Sequence, residues 1–406
     1  MKKRDVLLLC QFFYPEYVSS ATLPRDTAEA LVQSGLTVDV LCGTPKEYSG
    51  GKKVPKKEVY NGIYIKRMGY LQLKRTGKLG RLINYFSFLV SAALRLFSLR
   101  HYRCVMVYSN PPVLPLLPAV ASRLFKTKLV FVAYDIYPEL ALLLGATRPG
   151  SAIDRFTQHI NRKVYSRAAC VVALSQEMKR LLLSIRPQLS ADRVAVIPNW
   201  YDDTTPPDTL HNPDFRTLSE SGKTVVVYAG NMGVCQDMNT IFEAANLLQQ
   251  REDIVFLFAG HGSKLPELKK RAAALNLPNV RFYDFLLGRD YIELLALASC
   301  HVVSLEKGVE GLSVPSKTYS YLAIGRPVIA IMQPDTDIAR ELNEYGAGYC
   351  IPQGDVQRFV NAVCETAEHP EKAKQMGENA HRLFKERYTK ELCTQQYVKL
   401  IHELLC

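Results

Sequence analysis

The sequence predicts an α/β protein made of two doubly wound domains. Its 406 residues exceed the size of one ordinary domain, and 48% of them are hydrophobic, which is ample for two large cores. Short β-rich runs alternate with helical patterns along nearly the whole chain. Several of these runs are continuously apolar, as strands buried on both faces tend to be. The alternation predicts parallel sheets joined by right-handed crossovers.

In the first half, a helical pattern over Ala21–Ser34 comes after the first apolar run and ends at Gly35, a typical C-terminal stop. That first run is too short for the apolar core of a signal peptide, so we interpret it as a buried strand. The predicted strands of this half are Val6–Cys10, Val38–Cys42, Ile63–Met68, Val105–Tyr108, Leu129–Val132, Val171–Leu174 and Val194–Ile197.

The second half repeats the pattern, and from Asp355 onward it is predicted to be helical. The predicted strands are Val225–Ala229, Ile254–Ala259, Val280–Phe282, His301–Leu305, Val328–Ile331 and Gly348–Ile351. The predicted helices between them are Met238–Gln250, Leu265–Leu275, Asp290–Ala298 and Thr318–Ala323.

Between the halves, the stretch from Pro198 to about Gly222 is rich in Pro, Asp and Thr, which is typical of a linker. Trp200, the lone tryptophan, is interpreted as a hydrophobic plug at a domain edge; the alternative is a residue that stacks on a ligand. The predicted parts are an N-terminal domain, a linker, a C-terminal domain and a C-terminal helix, over residues 1–200, 201–222, 223–385 and 386–406. Two such domains would face each other across a cleft, and doubly wound sheets bind ligands beyond the carboxyl ends of their strands.

The formal net charge of +12 is unevenly distributed. Residues 1–200 carry 30 Lys and Arg against 12 Asp and Glu, whereas residues 201–406 carry 21 against 27. A positive N-terminal half attracts nucleic acid, anionic lipid or phosphorylated substrates, and charge alone does not choose among them.

The stretch from Lys74 to Arg103 combines basic residues with apolar ones partly at helical spacing. Such a helix can lie in a membrane interface; the alternative is a core helix with a solvated basic side. The apolar part, Leu82–Phe97, is too short to span a bilayer comfortably.

The ten cysteines show neither zinc spacing nor a secreted disulfide pattern, which fits a reducing cytosol. Five of them lie in or beside apolar runs and are expected to be buried free thiols. These are Cys10, Cys42, Cys104, Cys170 and Cys300.

Two segments of the second half predict a site for a diphosphate. The loop from Glu310 brings a carboxylate, hydroxyls and Lys317 to the start of a helix, where free N–H groups and the helix dipole favour an anion. The glycine turn Gly230-Asn231-Met232-Gly233 comes directly after another strand, and its backbone can approach a phosphate closely. The alternative is two ordinary strand–helix turns. Lys264 either reaches the same phosphate or is a solvated lysine at a helix start.

In the first half, Asp135 lies just beyond a predicted strand and could orient or deprotonate an acceptor hydroxyl. The alternative is a helix N-cap. Ser19 and Ser20 lie after the first strand and are candidates for the acceptor side, and they can also cap the next helix.

Together these segments resemble the retaining glycosyltransferases of family 4 with the two-domain GT-B fold, in the branch that builds bacterial surface polysaccharides. The resemblance spans nearly the full chain. Its motifs are Tyr14-Pro15-Glu16, Asp135-Ile-Tyr-Pro-Glu139, Val196-Ile-Pro-Asn199, Tyr228-Ala-Gly-Asn-Met-Gly233 and Glu310-Gly-Leu-Ser-Val-Pro-Ser-Lys-Thr-Tyr319. It implies two Rossmann-like domains, with C-terminal helices that pack back on the N-terminal domain.

The resemblance also implies roles for single residues. Glu310 matches the first glutamate of the family's Glu–seven residues–Glu pattern and would lie near the transferred sugar. The second glutamate, which holds the ribose, is absent, and Ser316, Thr318 or Ser320 would take its place. The family's Arg and Lys near the glycine turn are also missing, which moves the phosphate role to Lys317 and Lys264.

The expected activity is transfer of a sugar from a nucleotide sugar, expected to be UDP-linked, to an acceptor on a polyprenyl diphosphate lipid. The products would be exopolysaccharide, capsule or O-antigen, made at the cytoplasmic face of the membrane by a peripheral protein. The resemblance implies no cofactor and no obligatory metal. The alternatives are a nucleotide-sugar epimerase of the same fold and a basic nucleic-acid-binding protein, although no nucleic-acid recognition motif supports the latter.

Overall fold

A computed structural model describes residues 3–45, 54–73 and 78–406 of the chain. Lys74 and Arg75 of the predicted basic segment lie outside the described residues, as do the side chains of Lys78 and Arg81. The chain forms two compact units. The N-terminal unit consists of Met1–Asn199, Gly311–Val314 and Glu391–Cys406, and the C-terminal unit of Trp200–Glu310 and Pro315–Lys390.

The N-terminal unit is built on an eight-stranded sheet with the order β3-β4-β2-β1-β5-β6-β7-β8. Every neighbouring pair is parallel except β3 and β4. The strands are β1 Arg4–Leu9, β2 Val38–Gly43, β3 Lys57–Tyr60, β4 Ile63–Met68, β5 Tyr102–Tyr108, β6 Lys128–Val132, β7 Cys170–Ala173 and β8 Val194–Val196. Each strand predicted in this half is confirmed, and β3 is an addition at the sheet edge.

The helices of the N-terminal unit connect these strands. They are α1 Ser19–Gln33, α2 Lys78–Ala93, α3 Leu116–Phe125, α4 Glu139–Leu143, α5 Ala152–Arg167 and α6 Gln176–Ile185, with 3₁₀ turns at Leu96–His101 and Ala191–Arg193. The helix α3 packs against both the first 3₁₀ turn and α5. These three elements therefore share one face of the unit.

The C-terminal unit has an all-parallel sheet of six strands with the order β11-β10-β9-β12-β13-β14. The strands are β9 Thr224–Asn231, β10 Ile254–His261, β11 Val280–Tyr283, β12 Cys300–Ser304, β13 Val328–Ile331 and β14 Gly348–Ile351. The predicted strands of this half are confirmed. They are apolar because both faces of the sheet are covered, as in the cluster of Val226, Phe256 and Val302 with surrounding helices.

The helices of the C-terminal half are α7 Pro213–Glu220, α8 Asn239–Leu247, α9 Leu265–Ala274, α10 Gly288–Leu297, α11 Lys317–Ile324, α12 Asp337–Tyr345, α13 Val356–Glu368, α14 Pro370–Arg387 and α15 Lys390–Leu405. The stretch 201–222, expected as a linker, contains α7 and lies within the C-terminal unit. The buried carboxylate of Glu293 holds its start by accepting hydrogen bonds from the N–H groups of His211 and Asn212, both 2.9 Å long.

The prediction that C-terminal helices pack back on the N-terminal domain is confirmed for α15 alone. All of that helix except its first residue belongs to the N-terminal unit, whereas α13 and α14 belong to the C-terminal unit. Its last carbonyl groups accept hydrogen bonds from two cations of the large sheet, Arg103 to the Leu405 oxygen and Lys128 to the Leu404 oxygen. Cations at a helix C-terminus are favourable because the unpaired carbonyls carry partial negative charge.

Candidate functional site

Two glycine turns lie side by side at the carboxyl edge of the C-terminal sheet. The pairing of β9 with β10 continues through Gly230 opposite Gly260 and Asn231 opposite His261. Both Gly230 and Gly260 have φ of 136°, a conformation that other residues rarely adopt. A Cβ on Gly260 would lie 2.1 Å from the Gly230 oxygen, so only glycine allows the two backbones to come this close.

Lys317 is the first residue of α11 and lies against the first of these turns. A Cβ placed on Gly230 would be 3.2 Å from the Cε and 3.5 Å from the Nζ of Lys317. The hydroxyl of Tyr321 fixes α11 against β9, since it accepts from the N–H of Ala229 and donates to its carbonyl, both at 2.9 Å. The structure thus brings together the lysine and the glycine turn that the sequence singled out.

The amino group of Lys317 contacts a tyrosine. Its Nζ donates a hydrogen bond to the hydroxyl of Tyr228 and lies 3.7 Å from the centroid of that ring. Burial lowers the pKa of Lys317 to about 7, although the residue as a whole keeps some exposure. No carboxylate contributes to this pKa among the described residues. The lysine is therefore poised to regain its charge when an anion arrives.

The rest of the glycine turn is fixed by Gln236. Its Oε1 accepts hydrogen bonds from the N–H of Gly233 at 3.0 Å and from the Nδ2 of Asn231 at 3.5 Å. Asn231 is exposed, and a Cβ on Gly233 would come 2.7 Å from its Nδ2. The conformation of the turn is thus fixed by hydrogen bonds within the turn itself.

Lys264 lies just before α9 but already has two partners. Its Nζ forms an ion pair with Glu306 at 2.6 Å and donates to the Gln236 oxygen at 2.7 Å. The interpretation as a merely solvated lysine is wrong, and a phosphate role for Lys264 stays a prediction. Binding a phosphate would require it to exchange the Glu306 carboxylate.

Two of the three hydroxyls expected to replace the ribose-binding glutamate donate hydrogen bonds to backbone carbonyls at the start of α11. The Oγ1 of Thr318 donates to the Pro315 oxygen at 2.8 Å, and the Oγ of Ser320 donates to the Lys317 oxygen at 2.8 Å. Both residues are buried, whereas Ser316 is exposed and its side chain does not cap the helix. Ser316 is therefore the one of the three whose side chain faces solvent. The helix begins at Lys317, one residue before the predicted start at Thr318.

Glu310 is held by its own surroundings in the C-terminal unit. Its Oε2 accepts from the N–H of Gly308 at 2.8 Å, and its Oε1 accepts from the N–H of Gln333 at 3.4 Å and from the Nε2 of Gln353. Sequence reasoning missed both glutamines. They lie just beyond β13 and β14, so their position at strand ends was the signal that could have found them.

Asp135 lies beyond the end of β6 in the N-terminal unit. Its N–H donates to the Ser109 hydroxyl at 3.1 Å, and it forms a single β-bridge with Ser313. Burial raises the pKa of Asp135, while the hydroxyl of Ser313 acts in the opposite direction. The N-cap interpretation is wrong, because the next helix, α4, has Pro138 as its N-cap. The carboxyl group therefore caps no helix, and a catalytic role for it stays a prediction.

Three other polar residues of the N-terminal unit, Ser19, Ser20 and Glu139, differ in their surroundings. Ser19 and Ser20 are the first residues of α1, but the N-cap is Val18 and no side chain caps the helix, so the capping interpretation is wrong. Ser19 is exposed and their acceptor role stays a prediction. Glu139 lies in the first turn of α4, where both of its oxygens bind Arg186, at 2.8 and 2.7 Å.

No helix in the described ranges has both the length and the hydropathy that crossing a bilayer requires. Within the same ranges, no three His, Cys, Asp or Glu side chains gather as a metal site would require. The five cysteines expected to be buried are so, namely Cys10, Cys42, Cys104, Cys170 and Cys300.

Two family models match the chain in succession. The model for a glycosyl transferase 4-like domain matches residues 20–200, and the model for glycosyl transferases group 1 matches residues 212–383. Together they leave only short stretches of the chain unmatched.

Curated relatives agree with these models. A probable glycosyltransferase of Pseudomonas aeruginosa, WbjE, is 28% identical over 269 residues, which are 64% of this chain and 66% of the relative. WcaI of Escherichia coli strain K12, named as a putative glycosyl transferase of colanic acid biosynthesis, is 24% identical over 302 residues, or 71% of this chain and 73% of the relative. The chain thus spans just under two thirds of WbjE.

Among solved structures, Anabaena HepE in complex with UDP matches with a TM-score of 0.72. The match covers 98% of this chain and all of HepE at 15% identity. At that identity the likeness shows the fold.

Proposed function

The chain belongs to the glycosyltransferases of family 4 with the GT-B fold, and on this basis we propose a specific reaction. The protein moves a hexosyl unit from a UDP-sugar to a lipid-linked glycan, with retention of the anomeric configuration. The product enters a bacterial surface polysaccharide such as exopolysaccharide, capsule or O-antigen. The names of WbjE and WcaI and the UDP bound in HepE support this proposal.

The observation that carries the proposal is the meeting of Lys317 with the Gly230 turn. When the bond between sugar and nucleotide breaks, negative charge grows on the leaving diphosphate. A lysine ammonium beside closely approachable backbone N–H groups stabilises that charge where it develops. The helix α11 adds its N-terminal dipole at the same point. Lys317, Ser316 and the turn are thus the proposed diphosphate ligands, and Lys264 joins them if it leaves Glu306.

We assign the two carboxylates to the sugars. Glu310, whose orientation is fixed by the Gly308 N–H and Gln353, would hold the hydroxyls of the transferred sugar. Asp135 would accept the proton of, or orient, the acceptor hydroxyl, since its raised pKa suits exchange of a proton near neutrality better than that of an ordinary aspartate. Ser19 and Ser20 remain the proposed acceptor-side hydroxyls.

We also propose that the protein binds the cytoplasmic face of the membrane, where a polyprenyl diphosphate acceptor lies. The helix α2 exposes a stripe of large apolar side chains, Leu82, Phe86 and Val90, and beyond it lie Leu94 and Phe97, with exposed fractions from 45% to 81%. Spacing by four residues places the first three on one face of α2. An exposed apolar stripe of this size is unusual unless something covers it.

Basic residues accompany the apolar stripe and favour an anionic bilayer as its partner. The helix α5 exposes Ile153 and Phe156, together with the cations Arg155, Arg162 and Lys163. The helix α3, which packs between α5 and the 3₁₀ turn bearing Phe97, joins the two exposed surfaces. Apolar residues beside Lys and Arg are the combination that interfacial binding to anionic lipid requires.

A thermal-shift panel of UDP-, GDP-, TDP- and ADP-sugars tests the donor assignment. A ligand that binds the native state raises the melting temperature, so selective stabilisation by UDP-sugars is expected. Incubation of the donor without acceptor separates transfer from epimerisation, because an epimerase converts the donor alone. Stabilisation by none of the four donor classes would overturn the proposal.

A further inference from the structure

We propose that Tyr228 is the positioning residue of the diphosphate site, because its hydroxyl fixes both Lys317 and the glycine turn. This inference rests on the proposed function and adds a residue to which the sequence assigned no role. Tyr228 lies on β9, two residues before Gly230, and is 1% exposed.

The hydrogen bonds of Tyr228 have a defined direction. Its hydroxyl donates its only proton to the Asn231 oxygen at 2.8 Å. The hydroxyl oxygen is then left as an acceptor, and the Nζ of Lys317 donates to it. The buried Tyr228 hydroxyl therefore links the amino group of Lys317 to the backbone of the glycine turn, and both are proposed to contact the diphosphate.

Without such a tie, Lys317 would be a flexible side chain. A lysine has four rotatable bonds and loses considerable rotamer freedom when it is held in one place. The ring of Tyr228, at 3.7 Å from Nζ, limits this freedom further and attracts the charged form. Binding of the diphosphate then meets a lysine that is already in position.

Because Lys317 can change its charge, this arrangement predicts that binding of a diphosphate depends on pH. The group that faces the amino end of Lys317 is the Tyr228 hydroxyl, and the buried Ser304 hydroxyl on β12 lies near that hydroxyl and lowers the pKa of Tyr228. Burial raises the pKa of Tyr228, so the hydroxyl stays protonated. Because the pKa of Lys317 is about 7, a fraction of its amino groups is neutral at pH 7 in the absence of ligand. These amino groups take up a proton when a diphosphate binds.

The test is calorimetric titration of the full-length protein with UDP between pH 6 and pH 9. In the unaltered protein, affinity should fall up to about tenfold per pH unit above pH 7, with proton uptake seen by comparing buffers of different ionisation enthalpy. Tyr228→Phe keeps the ring and removes the hydroxyl. We expect about a tenfold loss of affinity at pH 6 and a larger loss at pH 8, because Lys317 loses an acceptor for its ammonium and its pKa falls.

Tyr349→Phe on β14, a strand tyrosine in the same sheet, is the matched control and should leave both measurements unchanged. Equal affinity of Tyr228→Phe and the unaltered protein at all pH values would overturn the inference, and so would a loss of the same size at every pH. If the unaltered protein binds none of UDP, GDP, TDP or ADP, the proposed function fails instead. A thermal melt of each variant shows that it is folded.

Discussion

The two units share one architecture and differ in the residues just beyond their strands. Both have a parallel sheet of buried apolar strands. In the C-terminal unit, the penultimate residues of β9 and β10 are glycines whose backbones nearly touch, beside a half-buried lysine. In the N-terminal unit, the strands run into a buried glutamine after β1 and into an aspartate after β6. The sheet provides a common platform, and the first few residues beyond each strand determine the chemistry.

The surfaces differ as well. The N-terminal half carries the excess of Lys and Arg and the long exposed apolar stripe, whereas the C-terminal half is net negative. We infer a division of labour in which one unit handles a membrane-bound acceptor and the other a soluble nucleotide. Four substitutions compare the two units, in order of decreasing expected effect.

Lys317→Met should lower transfer activity by about 1,000-fold, since it removes the charge that stabilises the leaving diphosphate.

The same substitution should not lower the stability of the unliganded protein at pH 7. The pKa of Lys317 is lower in the folded state than the usual 10.5, so the unfolded chain binds more protons between pH 7 and 10.5, and the buried ammonium is a cost at and below pH 7. Turnover assays and urea unfolding at pH 6.5 and 9 measure both effects. Lys270→Met, at an exposed position of α9, is the control.

Asp135→Asn should lower transfer by about 100-fold and leave UDP affinity unchanged, because the residue belongs to the other unit. The raised pKa of Asp135 places the acidic limb of the rate profile at a higher pH than an ordinary aspartate would. The variant should lose that limb. A fall in UDP affinity equal to the fall in rate would contradict the division between the units.

Gly260→Ala should destabilise the protein by about 2 kcal/mol, because φ is 136° and a Cβ would meet the Gly230 oxygen at 2.1 Å. Gly35→Ala, after α1 in the N-terminal unit, is the matched control. Its φ is 89° but a Cβ would have nothing within 4 Å, so we expect a loss of about 1 kcal/mol. Urea unfolding of both variants compares them. Equal losses would mean that the close approach of the two turns adds nothing to backbone strain.

Phe86→Ser should weaken sedimentation with anionic phosphatidylglycerol vesicles by about tenfold, since it removes a large apolar side chain from the proposed membrane contact. Leu247→Ser is the control, because Leu247 is 59% exposed at the end of α8 in the C-terminal unit, close to the 68% of Phe86. The same loss for both variants would remove α2 from the membrane proposal. Binding to RNA of similar strength would favour the nucleic-acid alternative.

The sequence predicted the strands well because buried parallel strands are continuous apolar runs. It missed β3, an edge strand with half-exposed residues, since that pattern is hard to tell from a loop. It missed α7 because Pro and Asp suggested a linker, although Asn212 and Pro213 are also a typical helix start. Short helices among turn residues show little periodicity.

The candidate site was predicted in its motifs and missed in its partners. Gly230 and Lys317 are far apart in sequence, and each was found from local chemistry. Their contact through Tyr228 depends on how α11 packs against β9, which no local pattern encodes. Lys264 follows β10 and Glu306 follows β12, two strands that lie on either side of β9, so their ion pair likewise depends on the strand order. Side-chain partners across a sheet are set by topology rather than by spacing.

The N-terminal unit is assembled from three separate stretches of the chain, the last of which includes nearly all of α15. Neither unit can therefore be cut out as one continuous piece. A hybrid protein joined to a relative at residue 200 alone would combine one parent's sheet with the other parent's 311–314 segment and terminal helix. Recombination between relatives would preserve this unit only when all three stretches come from the same parent. Under the proposed division between the units, acceptor preference should therefore be inherited as a scattered set of segments.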